Sequence, residues 1–138
     1  MKNRIIQMIA TLLLCFMIFS PVCSAGAVTG TIRVPKNCIM TSAGEATRTT
    51  KYGYVSVKAN SVYPTGEYKK DNFTKCKTHL FHVTSHKAIS NKVTLTEGKG
   101  YAKVIIQDGY LDQTKVNVCF AGNDPEYPAM VNYTYNGN

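Results

Sequence analysis

Tyr54-Val55-Ser56-Val57-Lys58-Ala59-Asn60 alternates between apolar and polar side chains, with Val55, Val57 and Ala59 on one side and Ser56, Lys58 and Asn60 on the other. A period of two is what a strand with one buried face requires, because successive Cβ atoms point to opposite sides of the pleat. The same reading extends outward in both directions. Val28–Val34 sets Val28, Ile32 and Val34 against Thr29, Thr31 and Arg33, and further strands are expected at Lys92–Thr96, Tyr101–Ile106, Lys115–Phe120 and Ala129–Tyr135. Lys75–Val83 is a strand by position, with two mixed faces, which brings the expected number to seven.

Turn chemistry punctuates these stretches. Tyr63-Pro64-Thr65-Gly66 has proline second and glycine fourth, as a type I turn favours. Glu97-Gly98-Lys99-Gly100 is short and glycine-rich enough for a hairpin, Asp108-Gly109 is a second tight turn, and Gly122-Asn123-Asp124-Pro125 closes the sixth strand. Downstream of Val28 no stretch sustains the i, i+3, i+4, i+7 apolar pattern of a helix beyond a single turn. Strands with one apolar face each need a second layer to cover it. The expected fold is therefore all-β, a single small antiparallel β-sandwich of about seven strands with Ig-like architecture, a small barrel being the alternative. The buried tryptophan of true immunoglobulin domains is missing, since the chain has no Trp.

The N-terminus reads as an export signal. Met1-Lys2-Asn3-Arg4 is basic and Ile5 to Phe19 is apolar apart from Gln7 and Thr11. The run stops at Ser20-Pro21, short of the roughly 20 residues a membrane span needs. Ala25-Gly26-Ala27 offers cleavage after Ala27 or Ala25, so residues 1–27 are expected to be a signal peptide, helical in its apolar run, and residues 28–138 a single secreted, extracellular domain without a transmembrane span. Neither lipid attachment nor a C-terminal anchor is expected. Lys2 and Arg4 leave with the leader, so the formal charge of +8 becomes +6.

Three cysteines then remain, Cys38, Cys76 and Cys119. An oxidising compartment favours one disulfide. Immunoglobulin-like ordering would set the start of the third strand beside the end of the sixth, which favours Cys76 with Cys119 and leaves Cys38 unpaired or linking a disulfide-bonded dimer. The alternative for Cys76 is a catalytic thiol with His79 as its base.

All three histidines lie in Cys76-x-x-His79-x-x-His82-x-x-x-His86. A helix would gather them into a metal site, whereas a strand points His79 and His82 to opposite faces, so no metal and no cofactor is expected. Charge concentrates in the middle: residues 28–68 carry +3, residues 69–96 carry +5 and residues 97–138 carry −2. Lys69, Lys70, Lys75, Lys77, Lys87 and Lys92 with His79, His82 and His86 form the expected anion-binding region. Nine tyrosines suggest an aromatic contact face, for which Tyr52, Tyr54, Tyr133 and Tyr135 are the candidates. The sequons at Asn72 and Asn132 matter only if the source glycosylates.

No motif of a serine hydrolase, zinc protease or phosphate-binding loop occurs. The expectation is a secreted, non-enzymatic interaction module whose basic central region binds an anionic cell-envelope polymer, a glycan or a protein, with no nucleic acid as partner. The alternatives are a small cationic secreted effector, bacteriocin-like or membrane-perturbing, and, third, an uncharacterised hydrolase.

Overall fold

The computed structural model describes residues 26–49, 51–65 and 73–137. The expected leader, apart from Gly26 and Ala27, and the lysine pair Lys69 and Lys70 lie outside the described residues. The strands are β1 (Val28–Val34), β2 (Thr41–Thr47), β3 (Tyr54–Pro64), β4 (Lys75–His82), β5 (Val93–Thr96), β6 (Ala102–Ile105), β7 (Lys115–Gly122) and β8 (Ala129–Asn136). They form two antiparallel sheets of four, one ordered β1-β8-β3-β6 and the other β2-β7-β4-β5. The architecture is the expected all-β sandwich, with eight strands rather than seven.

The extra strand is β2. Its sequence, Thr41-Ser42-Ala43-Gly44-Glu45-Ala46-Thr47, has no large apolar residue, and its register with β7 shifts between Ser42 and Gly44. Gly44 takes a φ of 123°, open to glycine alone at little cost, so the bulge destroys the alternation by which a strand is read. A second bulge, in β3 between Ala59 and Ser61, resets the phase. Val55, Val57 and Ala59 face the core before it and Val62 and Pro64 after it, so β3 continues past Asn60 through the proline expected to begin a turn.

The connection Glu97–Gly100 also differs from expectation. It makes no hairpin, because β5 pairs with β4 and β6 pairs with β3, so the chain crosses between sheets here. Two bonds fasten the crossing to the β3 bulge: the Glu97 carboxylate accepts from the Val62 N–H at 2.9 Å and the Gly98 N–H donates to the Ala59 carbonyl at 3.1 Å. Asp108-Gly109 sits in a single 3-10 turn, Asp108–Tyr110. Residues 88–90 close one flank, Ala88 bridging to Phe81 of β4 and Ser90 to Ile106 just beyond β6.

Between the layers, the inner faces contribute Val55, Val57, Val104 and Val131 from one sheet and Leu80, Val116, Val118 and Phe120 from the other, all fully buried. Phe120 stacks on Tyr133 at 4.8 Å, and Tyr133 on Tyr135 at 5.7 Å. Both phenols reach across to β2, Tyr133 donating to the Ala43 carbonyl at 3.3 Å and Tyr135 to the Glu45 carbonyl at 3.2 Å. Each ring thus buries its apolar body and still satisfies its hydroxyl.

Tyr133 can lie this way because its neighbour on β1 is Gly30: a Cβ there would stand 2.5 Å from the Tyr133 hydroxyl. The ring is held on its other face by Phe120 and cannot swing aside. Gly30→Ala is expected to destabilise the fold by about 1–3 kcal/mol, whereas Gly100→Ala, which meets nothing within 4 Å, should leave the urea midpoint almost unchanged. Equal midpoints for the two variants would refute this packing.

Candidate binding surfaces

The long basic segment becomes a sheet face. Along β4, Cys76, Thr78 and Leu80 point into the core, so Lys75, Lys77 and His79 alternate outward. Lys77 stands opposite Thr94 of β5 and Ala121 of β7, and Lys92 immediately precedes β5. Lys87 is exposed in the connection after β4. From Phe73 to Thr96 the chain has four lysines, three histidines and no acid. Among the described residues the one ion pair joins Lys115 to Glu45 at 3.6 Å, so Lys75, Lys77, Lys87 and Lys92 are not neutralised by any described carboxylate.

The three histidines are divided. His79 is on the outer face, its Nε2 2.7 Å from the Ser90 carbonyl and its ring edge-on to Phe81 at 4.9 Å. His82 is on the opposite face, its Nδ1 accepting from the Ser85 N–H at 3.0 Å and its Nε2 3.2 Å from the Gln113 amide oxygen. His86 is exposed with φ of 52° in the turn that follows. Only His79 shares the lysine face. Among the described residues no cluster of His, Cys, Asp or Glu is placed to hold a metal ion.

The expected Cys76–Cys119 bridge is not formed, and all three thiols are free. The strand adjacency behind that expectation is correct, since β4 and β7 pair, but Cys76 stands opposite Gly122 while Cys119 stands opposite His79. An offset of three residues sends the two side chains to opposite faces of the sheet, where no disulfide geometry is reachable. The same alternation parts Cys76 from His79. Cys119 does lie in one row with His79 and Ser42. Burial nevertheless raises the Cys119 thiol above its ordinary value, with the Ser42 hydrogen bond opposing, so the protonated, weakly nucleophilic form is favoured.

Tyrosines separate into inner and outer sets. Tyr133 and Tyr135 are 6% and 2% exposed, which removes them from the expected contact face; as buried members of the inter-sheet stack they cannot meet a partner. Tyr52 and Tyr54 are on the outside, their rings 5.8 Å apart. With them stand residues that composition alone did not single out. Lys103 lies over the Tyr54 ring at 4.6 Å, Lys51 over Tyr52 at 5.4 Å and Lys58 over Tyr101 at 5.0 Å. Ile105, opposite Tyr54 across the β3–β6 pair, is 65% exposed.

Arg48 was likewise not foreseen. It is 2% exposed and has no described carboxylate in hydrogen-bonding contact; instead one Nη donates to the carbonyls of Leu111 (2.9 Å) and Gln113 (2.5 Å) and the other to that of Tyr52. Burial pulls the guanidinium below its ordinary value, and the field of Asp112 acts in the opposite direction. Its backbone N–H also donates to Thr114 at 2.8 Å. This one cation gathers the loop before β3 and the connection before β7. Elsewhere an open depression of about 440 Å³ lies between Arg33, Pro35, Lys36 and Pro128.

No family model, no curated protein and no solved structure matches this chain. Among the described residues no helix is long and apolar enough to cross a membrane.

The fully buried Cys76 carries the strongest thiol signal, its desolvated thiolate pushing the pKa up to about 12. A thiol whose folded pKa exceeds its unfolded one binds the extra proton in the folded state, so its stabilisation is complete below about pH 9 and is lost as pH rises toward 12. Urea midpoints should therefore fall above pH 9, less steeply in Cys76→Ala, and iodoacetamide should label Cys38 before Cys76 in the native protein. A Cys76 that alkylates as fast as Cys38 would contradict this burial.

Proposed function

We propose that the protein is a secreted, non-enzymatic interaction module that binds an anionic polymer of the cell envelope through the outer face of β4 and its neighbouring connection. The observation that carries this reading is the acid-free run from Phe73 to Thr96, whose Lys75 and Lys77 share one flat sheet face with His79, close in sequence to Lys87 and Lys92. Lysines with no described carboxylate beside them, set out along a strand, offer a repeating positive field to a repeating negative chain, an attraction that acts at long range and weakens with salt. A sheet face gives such a polymer a shallow track rather than a pocket. The burial of Cys76, which disfavours its thiolate, and the placing of His79 on the other face of β4 count against the catalytic-thiol alternative.

The test uses heparin and long-chain polyphosphate as probes, with affinity measured from low to high salt. Binding should weaken as the screening length falls from about 10 Å at 0.1 M to about 3 Å at 1 M. Replacing Lys75 and Lys77 with Gln should weaken it several-fold without moving the urea midpoint, because both side chains point away from the core. Absence of binding at low salt, or affinity indifferent to these lysines, would refute the reading. A growth-inhibition assay separates it from a cationic effector.

A further inference from the structure

We infer that the outer strip of β3 and β6 docks the protein onto the surface of a bilayer rich in anionic lipid. This surface belongs to the opposite sheet from the lysine face of β4 and is independent of the polymer reading. The strip is built from cross-strand neighbours: Tyr54 faces Ile105, and Ser56 faces Lys103. Tyr101, just before β6, carries Lys58 of β3 over its ring. Tyr52 extends the strip at one end; Leu111 lies beside that end on the sheet's other side, against Gly53, which stands across from the buried Ile106.

Three of the large apolar or aromatic side chains left exposed by the fold, Tyr52, Tyr101 and Ile105, are thus gathered along this strip at 41%, 49% and 65% exposure. Contiguous exposed apolar surface rimmed by polar groups marks a site of contact. Tyrosine seats its ring at the boundary between acyl chains and headgroups with its hydroxyl in water. Lysines whose ammonium groups lie over those rings are within a side chain's swing of anionic headgroups while Ile105 enters the boundary.

Two features favour a bilayer over the other occupants. A polyanion would use the lysines but leave Ile105 in water. A second copy meeting this strip about a twofold axis would set Lys51, Lys58 and Lys103 against the same three lysines. Neither β3 nor β6 carries an acid that could meet those lysines on the strip itself. Arg48 supplies the rigidity. Burying a guanidinium among carbonyl partners is a costly arrangement, and the three carbonyls it grips include that of Leu111 and that of Tyr52, which would touch the membrane. The cation is a positioning residue that holds both loop residues beside the strip before any lipid arrives.

The experiment is co-sedimentation of the purified protein with vesicles of phosphatidylglycerol and phosphatidylcholine, and with pure phosphatidylcholine, at physiological ionic strength. Binding is expected to the anionic vesicles and to be at least tenfold weaker to the neutral ones. Ile105→Asn with Tyr101→Asn should weaken it about tenfold, equivalent to about 1.4 kcal/mol, with polyphosphate binding and the urea midpoint unchanged because both side chains are exposed and uncharged. Lys51→Gln with Lys103→Gln should weaken it and flatten its salt dependence. Vesicle binding that ignores Ile105 and Tyr101 would overturn the proposal. So would a concentration-dependent dimer, seen by sedimentation velocity, that the same two substitutions dissociate.

Discussion

Everything in this fold hangs on the stack that Tyr133 and Tyr135 of β8 make with Phe120 of β7. β8 is hydrogen-bonded on both sides, to β1 and to β3, so the side chains it sends inward are held on a rigid strand. Their rings fill the gap between the layers and their hydroxyls end on carbonyls of β2, the strand with the weakest apolar character of its own. A strand of small and polar residues is therefore held in the second sheet by its ladder to β7 and by two hydroxyls from the first. Close-packed interiors transmit such constraints, which is why one glycine, Gly30, opposite Tyr133 is part of the same unit.

The outward faces are what remain once the stack has set the layers, and they differ in kind. One sheet presents, across β1, β8 and β3, a polar ladder in which Thr29 meets Thr134 at 3.0 Å, Thr31 donates to Asn132 at 2.6 Å and Asn132 donates to Ser61 at 2.5 Å. A glycan on Asn132 would have to break that ladder, since the amide is already engaged on both sides. Beyond it, the β3–β6 strip carries tyrosines, lysines and Ile105. The other sheet presents Lys75, Lys77 and His79 in a region without acids. The two faces differ in chemistry, as the two proposed contacts, one with an anionic polymer and one with a lipid surface, require.

Most of the strands were legible because their alternation is local. Val28–Val34, Lys115–Phe120 and Ala129–Tyr135 needed no knowledge of partners, and each lies within an observed strand. β2 was not legible, because its residues acquire a strand's identity only by pairing with β7 around the Gly44 bulge. Nor could local pattern tell that Glu97–Gly100 passes between sheets, since the turn residues of a hairpin and of a crossing are alike; what decides is the carboxylate of Glu97 meeting a freed amide 35 residues away. The surfaces follow the same rule. Alternation around Lys77 correctly parted His79 from His82, and it would equally have parted Cys76 from Cys119 had their register been known. Tyrosine content marked β8 as aromatic without saying which face the rings took. Arg48 gave no signal at all, because a buried guanidinium depends on three carbonyls supplied by two distant loops.

The central claim is that the rings of β8 are the packing between the sheets, and proton NMR of the native protein tests it most directly. Nuclear Overhauser contacts should join the Tyr133 ring to the Phe120 ring and to the Gly30 α-protons, with Tyr135 close to the backbone around Glu45. A Tyr133 ring in contact only with its sequence neighbours, and freely quenched by a soluble paramagnetic agent, would contradict the account.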